Sequence, residues 1–281
     1  MRIAVVAPSR SLPREAAERL TALHRQHTDL QSVSLAIHDQ CFLSDGHFAG
    51  DDDARAAAFI DAANDPEVDA VWFARGGYGA GRLLPLVLPA LRAPAARKIY
   101  AGYSDTGYLL SALSQLGIGQ SVHGPLVSDA LRPGGEEALL RMLRWFARKD
   151  ETGLEPSLGE SKRAYAFNLT ILASLTATEH LPSLDGSVLM IEEVGEHLYA
   201  VDRHLMTAFS SGRLSRLRGL RCGRISDVPE NDIDFGMEAE DIVRFWCDRH
   251  GVEYLGRADI GHDTDNKIVP FPVAFKQAVL P

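Results

Sequence analysis

The feature that most limits what this chain can become is a repeated pairing. A short, continuous apolar run of β type is followed by a turn, and then by a segment with helical spacing. Ile3 to Ala7 is such a run, and PREAAERLTALHRQ follows it with helical periodicity. VDAVWFARGGYGAGRLL reads as strand, glycine loop and helix, and KIYAGYSDTGYLLSALSQLG as strand, turn and helix. A candidate strand at 30–37 and the acid-led helix DDDARAAAFIDAAND complete the alternation, the acids suiting a helix N-terminus. Strands with no polar alternation are buried on both faces, and their alternation with helices predicts an α/β fold on a parallel sheet. In such sheets ligands bind beyond the carboxyl ends of the strands. Gly76-Gly77 and Ser104 both fall at such ends.

The rhythm changes after a helix rich in Leu, Arg and Trp that ends near Lys149. DETGLEPSLGESKR is polar and carries Gly and Pro, which predicts a linker. The expected division is a first domain over 1–150, a linker over 151–163 and a second domain over 164–281, and 281 residues suffice for two domains. In the second half, AFNLTILASLT reads as a helix and SVLMIEE as a buried strand ending in acids. VDRHLMTAFSSGRLSRL reads as a helix, RGLRCGRISDV as a strand, and MEAEDIVRFWCDRH as a helix closed by Gly251. The last segment is irregular and then strand-like.

Composition excludes several classes. The hydrophobic fraction is 46% and the charged fraction 24%, as in ordinary globular proteins. A net charge of −9 with no Lys/Arg-rich run argues against nucleic acid and against anionic membrane surfaces. Cys41, Cys222 and Cys247 are scattered with no CxxC pair, so neither a zinc cluster nor a disulfide framework is indicated. Unpaired thiols suit a reducing compartment. MRIAVVAPS is too short for a secretion signal, and no apolar stretch approaches the ~20 residues of a membrane helix. The expected location is the cytoplasm.

Three motifs bear on chemistry. Ser104 sits between a buried strand and a helix, either as an N-cap or as a nucleophile raised on a turn. ARGGYGAG is not GxGxxG and lacks the Lys-Ser/Thr ending of a phosphate loop, so it reads as a tight turn or as a source of amides aimed at an oxyanion. Glu192, Glu193 and Glu196 cluster near one strand end, and His262 lies in a loop, with His123 a rival base. The order Ser, Glu, His can supply a nucleophile, an orienting acid and a base. His262 and nearby acids without a third ligand do not make a metal site.

The set ARGGYG (74–79), GYSD (102–105), VHGP (122–125), IEEVGE (191–196) with VDR (201–203), and Gly261-His262 leading to Pro270 resembles the LD-carboxypeptidase family, peptidase family S66, over nearly the whole chain. The resemblance implies a flavodoxin-like N-terminal α/β domain and a smaller, β-rich C-terminal domain of swivelling topology. It implies Ser104 as nucleophile, His262 as base and Glu192 as its acid, with the amides of Gly77 and Asp105 as oxyanion donors and no metal or cofactor. It further implies removal of the terminal D-alanine from murein tetrapeptides during cytoplasmic cell-wall recycling, and commonly a homodimer. One branch resembles microcin C immunity proteins acting on aminoacyl-adenylate analogues, and a non-catalytic muropeptide-binding protein is the alternative of another class. Ala166-Phe167-Asn168 stands where the family usually has Gly-Gly-Asn, and Ala177 where it often has glycine before threonine. These departures bear on pocket shape and substrate choice.

Overall fold

The computed structural model describes residues 1–159, 163–273 and 280. The first half of the chain forms β1 (Arg2–Val6), β2 (Ser34–Ile37), β3 (Ala70–Phe73), β4 (Ile99–Gly102) and β5 (Gln120–His123). All are parallel, in the order β2-β1-β3-β4-β5, which is the flavodoxin-like winding. Their alternate residues feed two cores. Ile3 and Val5 of β1, with Ala70 and Trp72 of β3, meet the helices α1 (Arg14–Gln26) and α5 (Gly135–Arg148) on one face. Ala4, Val6, Val71 and Phe73 meet α2 (Asp52–Asn64), α3 (Leu84–Val87) and α4 (Gly107–Leu116) on the other. A strand with a core on both sides has no face left for polar residues, which is why these runs are continuously apolar.

The second half forms β6 (Ala164–Asn168), β7 (Val188–Val194), β8 (Gly219–Ser226) and β9 (Tyr254–Arg257), parallel in that order. With them go α6 (Leu169–Leu175), α7 (Leu198–Ser210) and α8 (Ala239–His250). The apolar cluster around α4 continues without a break into this unit, through Phe167, Leu169 and Ile171. A Cβ on Gly107, at the start of α4, would touch Ile171 at 3.4 Å and Phe167 at 3.8 Å. The helix that follows Ser104 is therefore packed between the two sheets.

Two sequence expectations change in detail. Ala164–Asn168 is a strand in register with Val188–Glu192, and helix begins only at Leu169; a short, fully buried run carries no period by which to tell strand from helix. Of the 30–37 stretch only Ser34–Ile37 is strand, and Thr28–Leu30 is a single 3-10 turn. The stretch 151–159 lies within the expected linker. It forms two 3-10 turns, Leu154 bridges to Ile268, and buried Glu155 accepts from the amides of Ser157 and Asp259. Near the end of the chain, β10 (Val269–Pro270) pairs antiparallel with β5 and so joins the first sheet. Residues 274–279 of the expected C-terminal strand-like stretch lie outside the described residues. No helix among the described residues is long and apolar enough to cross a membrane.

Candidate active site

Ser104 does not cap α4. An N-cap residue adopts extended backbone and accepts an amide bond, whereas Ser104 has φ +61° and no capping bond is made at either helical start here. The left-handed region costs a non-glycine residue roughly 1–2 kcal/mol. Such strain persists only where the surroundings hold it. Here Asp105 does much of the holding. Its buried carboxylate accepts from Ser9 Oγ at 2.5 Å, after β1, and from the Ala80 amide at 2.8 Å, after β3. Burial raises this carboxyl above its ordinary range, opposed by the Ser9 bond. The buried guanidinium of Arg55 ties the same region, donating to the carbonyls of Pro8, Gly50 and Gly79.

His262 lies between two side chains from different sheets. Its Nδ1 is 2.6 Å from Glu192 Oε2 and its Nε2 is 3.1 Å from Ser104 Oγ. An ionised carboxylate can only accept, so Nδ1 carries the proton and Nε2 offers its lone pair to the serine hydroxyl. Burial lowers the imidazole's proton affinity, but the charge and hydrogen bond of Glu192 outweigh it, and the net pKa lies above the ordinary histidine value. Glu192 is fully buried, and its other oxygen has no partner among the described residues. The loop carrying His262 is held by Asn266, whose Oδ1 accepts from the Gly261 amide and lies 3.0 Å from His123 Nε2. His123 is buried, which lowers its pKa, and so belongs to the support of this loop. Tyr103 packs its ring 4.8 Å from that of His262 and points its hydroxyl at Asp129, at 3.2 Å.

The remaining acids divide by face. Glu193 is also buried, yet it turns away from His262. Its carboxylate accepts from Asn168 Nδ2 at 2.7 Å, from the Thr170 amide at 2.8 Å, from Thr170 Oγ1 at 2.7 Å and from the Val194 amide at 2.9 Å. It therefore pins the start of α6 to β7. Glu196 lies past the end of that strand.

The glycines of ARGGYG are explained by what a side chain there would strike. A Cβ on Gly76 would lie 2.9 Å from both Cβ and Oγ of Ser104. Gly77 has φ +116°, and a Cβ there would lie 2.3 Å from Cδ of Arg10. The cleft at this point is ≈170 Å³ and is lined by Arg10, Arg75, Gly77, Ser104, Arg132 and His262 among others. A larger hollow of ≈380 Å³ is bordered by Tyr78, Tyr108, Leu175 and His180, and none of Ser104, Glu192 or His262 lines it.

Other chemistries find less support in the side chains. Cys41, Cys222 and Cys247 are buried, with thiols pushed up by burial to about 12, about 11 and about 12, so none is a ready nucleophile. Among the described residues no group of three or more His, Cys, Asp and Glu gathers to hold a metal ion. Sequence reading missed Tyr103, Asp129, Arg132 and Asn266. Only contacts across the fold mark them out, since Asp129 and Arg132 look like any helical i,i+3 pair and Asn266 like any loop polar residue.

The LD-carboxypeptidase N-terminal domain family matches residues 3–124, and the LD-carboxypeptidase C-terminal domain family matches residues 163–276. The murein tetrapeptide carboxypeptidase of Pseudomonas aeruginosa is 29% identical over 288 aligned positions, covering 96% of this chain and 91% of that protein. Among solved structures, the muramoyltetrapeptide carboxypeptidase of Oxalobacter formigenes superposes with a TM-score of 0.78 at 24% identity, over 96% of this chain and 92% of that one. A mutant of the microcin C7 self immunity protein, solved with adenosine monophosphate, gives a TM-score of 0.79 at 17% identity over 96% and 90%. At these identities the two structures speak for the fold.

Proposed function

The chain belongs to the LD-carboxypeptidase family, and from that premise we propose that it is a serine carboxypeptidase. In this reading it removes the terminal D-alanine from murein tetrapeptides in cytoplasmic cell-wall recycling. The observation that carries the reading is the single imidazole joining Ser104 to Glu192.

The chemistry follows from that geometry. Ser104 Oγ attacks the carbonyl that precedes D-alanine while His262 Nε2 takes its proton. The imidazolium so formed is stabilised by Glu192, already aligned on Nδ1–H. The developing oxyanion is met by the amides of Gly77 and Asp105. His262 then gives its proton to the departing amine of D-alanine, leaving an acyl-serine. Water, deprotonated by His262, attacks that ester and releases the tripeptide, restoring Ser104. The steps balance without a metal or redox group. Three buried thiols with no disulfide partner support a reducing compartment.

The test is to incubate the protein with purified murein tetrapeptide and with the pentapeptide ending in D-Ala-D-Ala. Free D-alanine and tripeptide, read by mass, are expected from the first only. An arm with an aminoacyl-sulfamoyl-adenosine tests the microcin-type alternative. Cleavage of that compound with the tetrapeptide untouched would replace the peptidase reading.

A further inference from the structure

The Ser104 cleft contains more positive charge than its own structure uses. Arg132 is engaged, donating to the carbonyl of His262 and lying 3.7 Å from Asp129. Asp129 is in turn occupied by the Tyr103 hydroxyl and the Leu126 amide. Arg10 and Arg75 also line the cleft, and neither has a carboxylate partner among the described residues. Arg75 donates once, to the Ser11 carbonyl at 3.1 Å. Burial, and then the nearby charge of Arg10, hold its guanidinium below its ordinary pKa. Two like charges on one wall repel, and an anion between them would relieve that repulsion.

Their placement says where the anion would sit. Arg10 follows β1 and Arg75 follows β3, the two strands at which the winding of the sheet reverses. The stem of Arg10 lies flat across Gly77, in space that any Cβ would fill. This holds its head beside the loop whose Gly77 amide is the expected oxyanion donor. An anion held here would share the cleft with Ser104 and His262.

We propose that Arg10 and Arg75 form the subsite for the free C-terminal carboxylate of the substrate, and so restrict the enzyme to the last residue of a peptide. The inference rests on the peptidase reading above. A planar guanidinium matches a carboxylate with two parallel hydrogen bonds, whereas an internal amide at the same place offers no charge. Arg10 is exposed and free to move onto the ligand, while the half-buried Arg75 is already oriented by Ser11.

The test compares murein tetrapeptide with the same peptide ending in D-alaninamide, using the parent, Arg10→Met and Arg75→Met. The parent is expected to prefer the acid by roughly 100-fold in kcat/KM. Each variant should lose roughly 10- to 100-fold on the acid and little on the amide, so that the preference collapses. Arg10→Lys should fall between, keeping charge without the fork. Because Arg75 is half buried, Arg10→Met on the exposed side carries the test if Arg75→Met folds poorly. A parent that cleaves the acid, with Arg10→Met keeping the full preference, overturns this subsite and leaves the peptidase reading standing. A parent that cleaves neither peptide overturns both.

Discussion

The backbone of Gly76 passes so close to Ser104 that a Cβ on the glycine would lie 2.9 Å from both Cβ and Oγ of the serine. Real Cβ atoms do not approach that closely, so one of the two must move. Gly76→Ala should therefore fold and yet shift the serine off its strained turn. A displacement of about 1 Å can cost on the order of 100-fold in rate. The expected loss in kcat/KM is of that order, with the melting temperature nearly unchanged. Parent-like turnover in Gly76→Ala would mean that the loop yields instead.

In the proposed mechanism the His262–Glu192 pair sets the acidic limb of activity. Neutral imidazole is the working base, so kcat/KM should fall as pH drops through the His262 pKa, which lies above the ordinary histidine value. Glu192→Gln removes the charge that raises this pKa and leaves the burial that lowers it. The limb should then move to lower pH while the plateau rate drops. A plateau loss with an unmoved limb would mean that Glu192 does not govern the base.

Glu193→Gln should behave in the opposite way. Its carboxylate accepts from three donors at the start of α6 and from the Val194 amide of β7. A carboxamide would turn an NH2 toward one pair of them, at a cost of roughly 1–3 kcal/mol. Thermal melting should fall by several degrees while the folded fraction keeps its turnover. A stable but inactive Glu193→Gln, beside an active Glu192→Gln, would exchange the roles of the two acids.

Both ring nitrogens of His262 are committed, Nδ1 to Glu192 and Nε2 to Ser104, which leaves no lone pair for a metal. Dialysis against EDTA should leave tetrapeptide turnover unchanged. Loss on chelation with recovery on adding zinc would place these side chains in a metal site.

The first sheet was legible because β1, β3 and β4 are short apolar runs and strand alternates with helix, whereas its flavodoxin-like winding was implied by the family resemblance. Ser104 and the Gly76-Gly77 turn were legible for a related reason, since strand ends can be located from the apolar runs. Residues 164–168 were misread because a run buried all round has no period. Arg10, Asn266 and the side chain of Asp105 could not be assigned from sequence. Arg10 meets Gly77 across two strands, Asn266 meets His123 from 143 positions away, and Asp105 meets Ser9 from 96. Family resemblance singled out Glu192 over Glu193. Alternation along the strand then accounts for why the two carboxylates part, one toward His262 and one toward α6.

The most direct measurement is the release of D-alanine from murein tetrapeptide by the parent and by Ser104→Ala, with folding checked by melting. Loss of a nucleophile that acts with its base lowers kcat by several orders of magnitude, on the order of 10⁶ where the three residues work as a unit. The account predicts one D-alanine per tetrapeptide from the parent, and from a normally folded Ser104→Ala a rate lower by at least about 10³. Turnover by Ser104→Ala within about tenfold of the parent would contradict it, because catalysis would then not pass through Ser104.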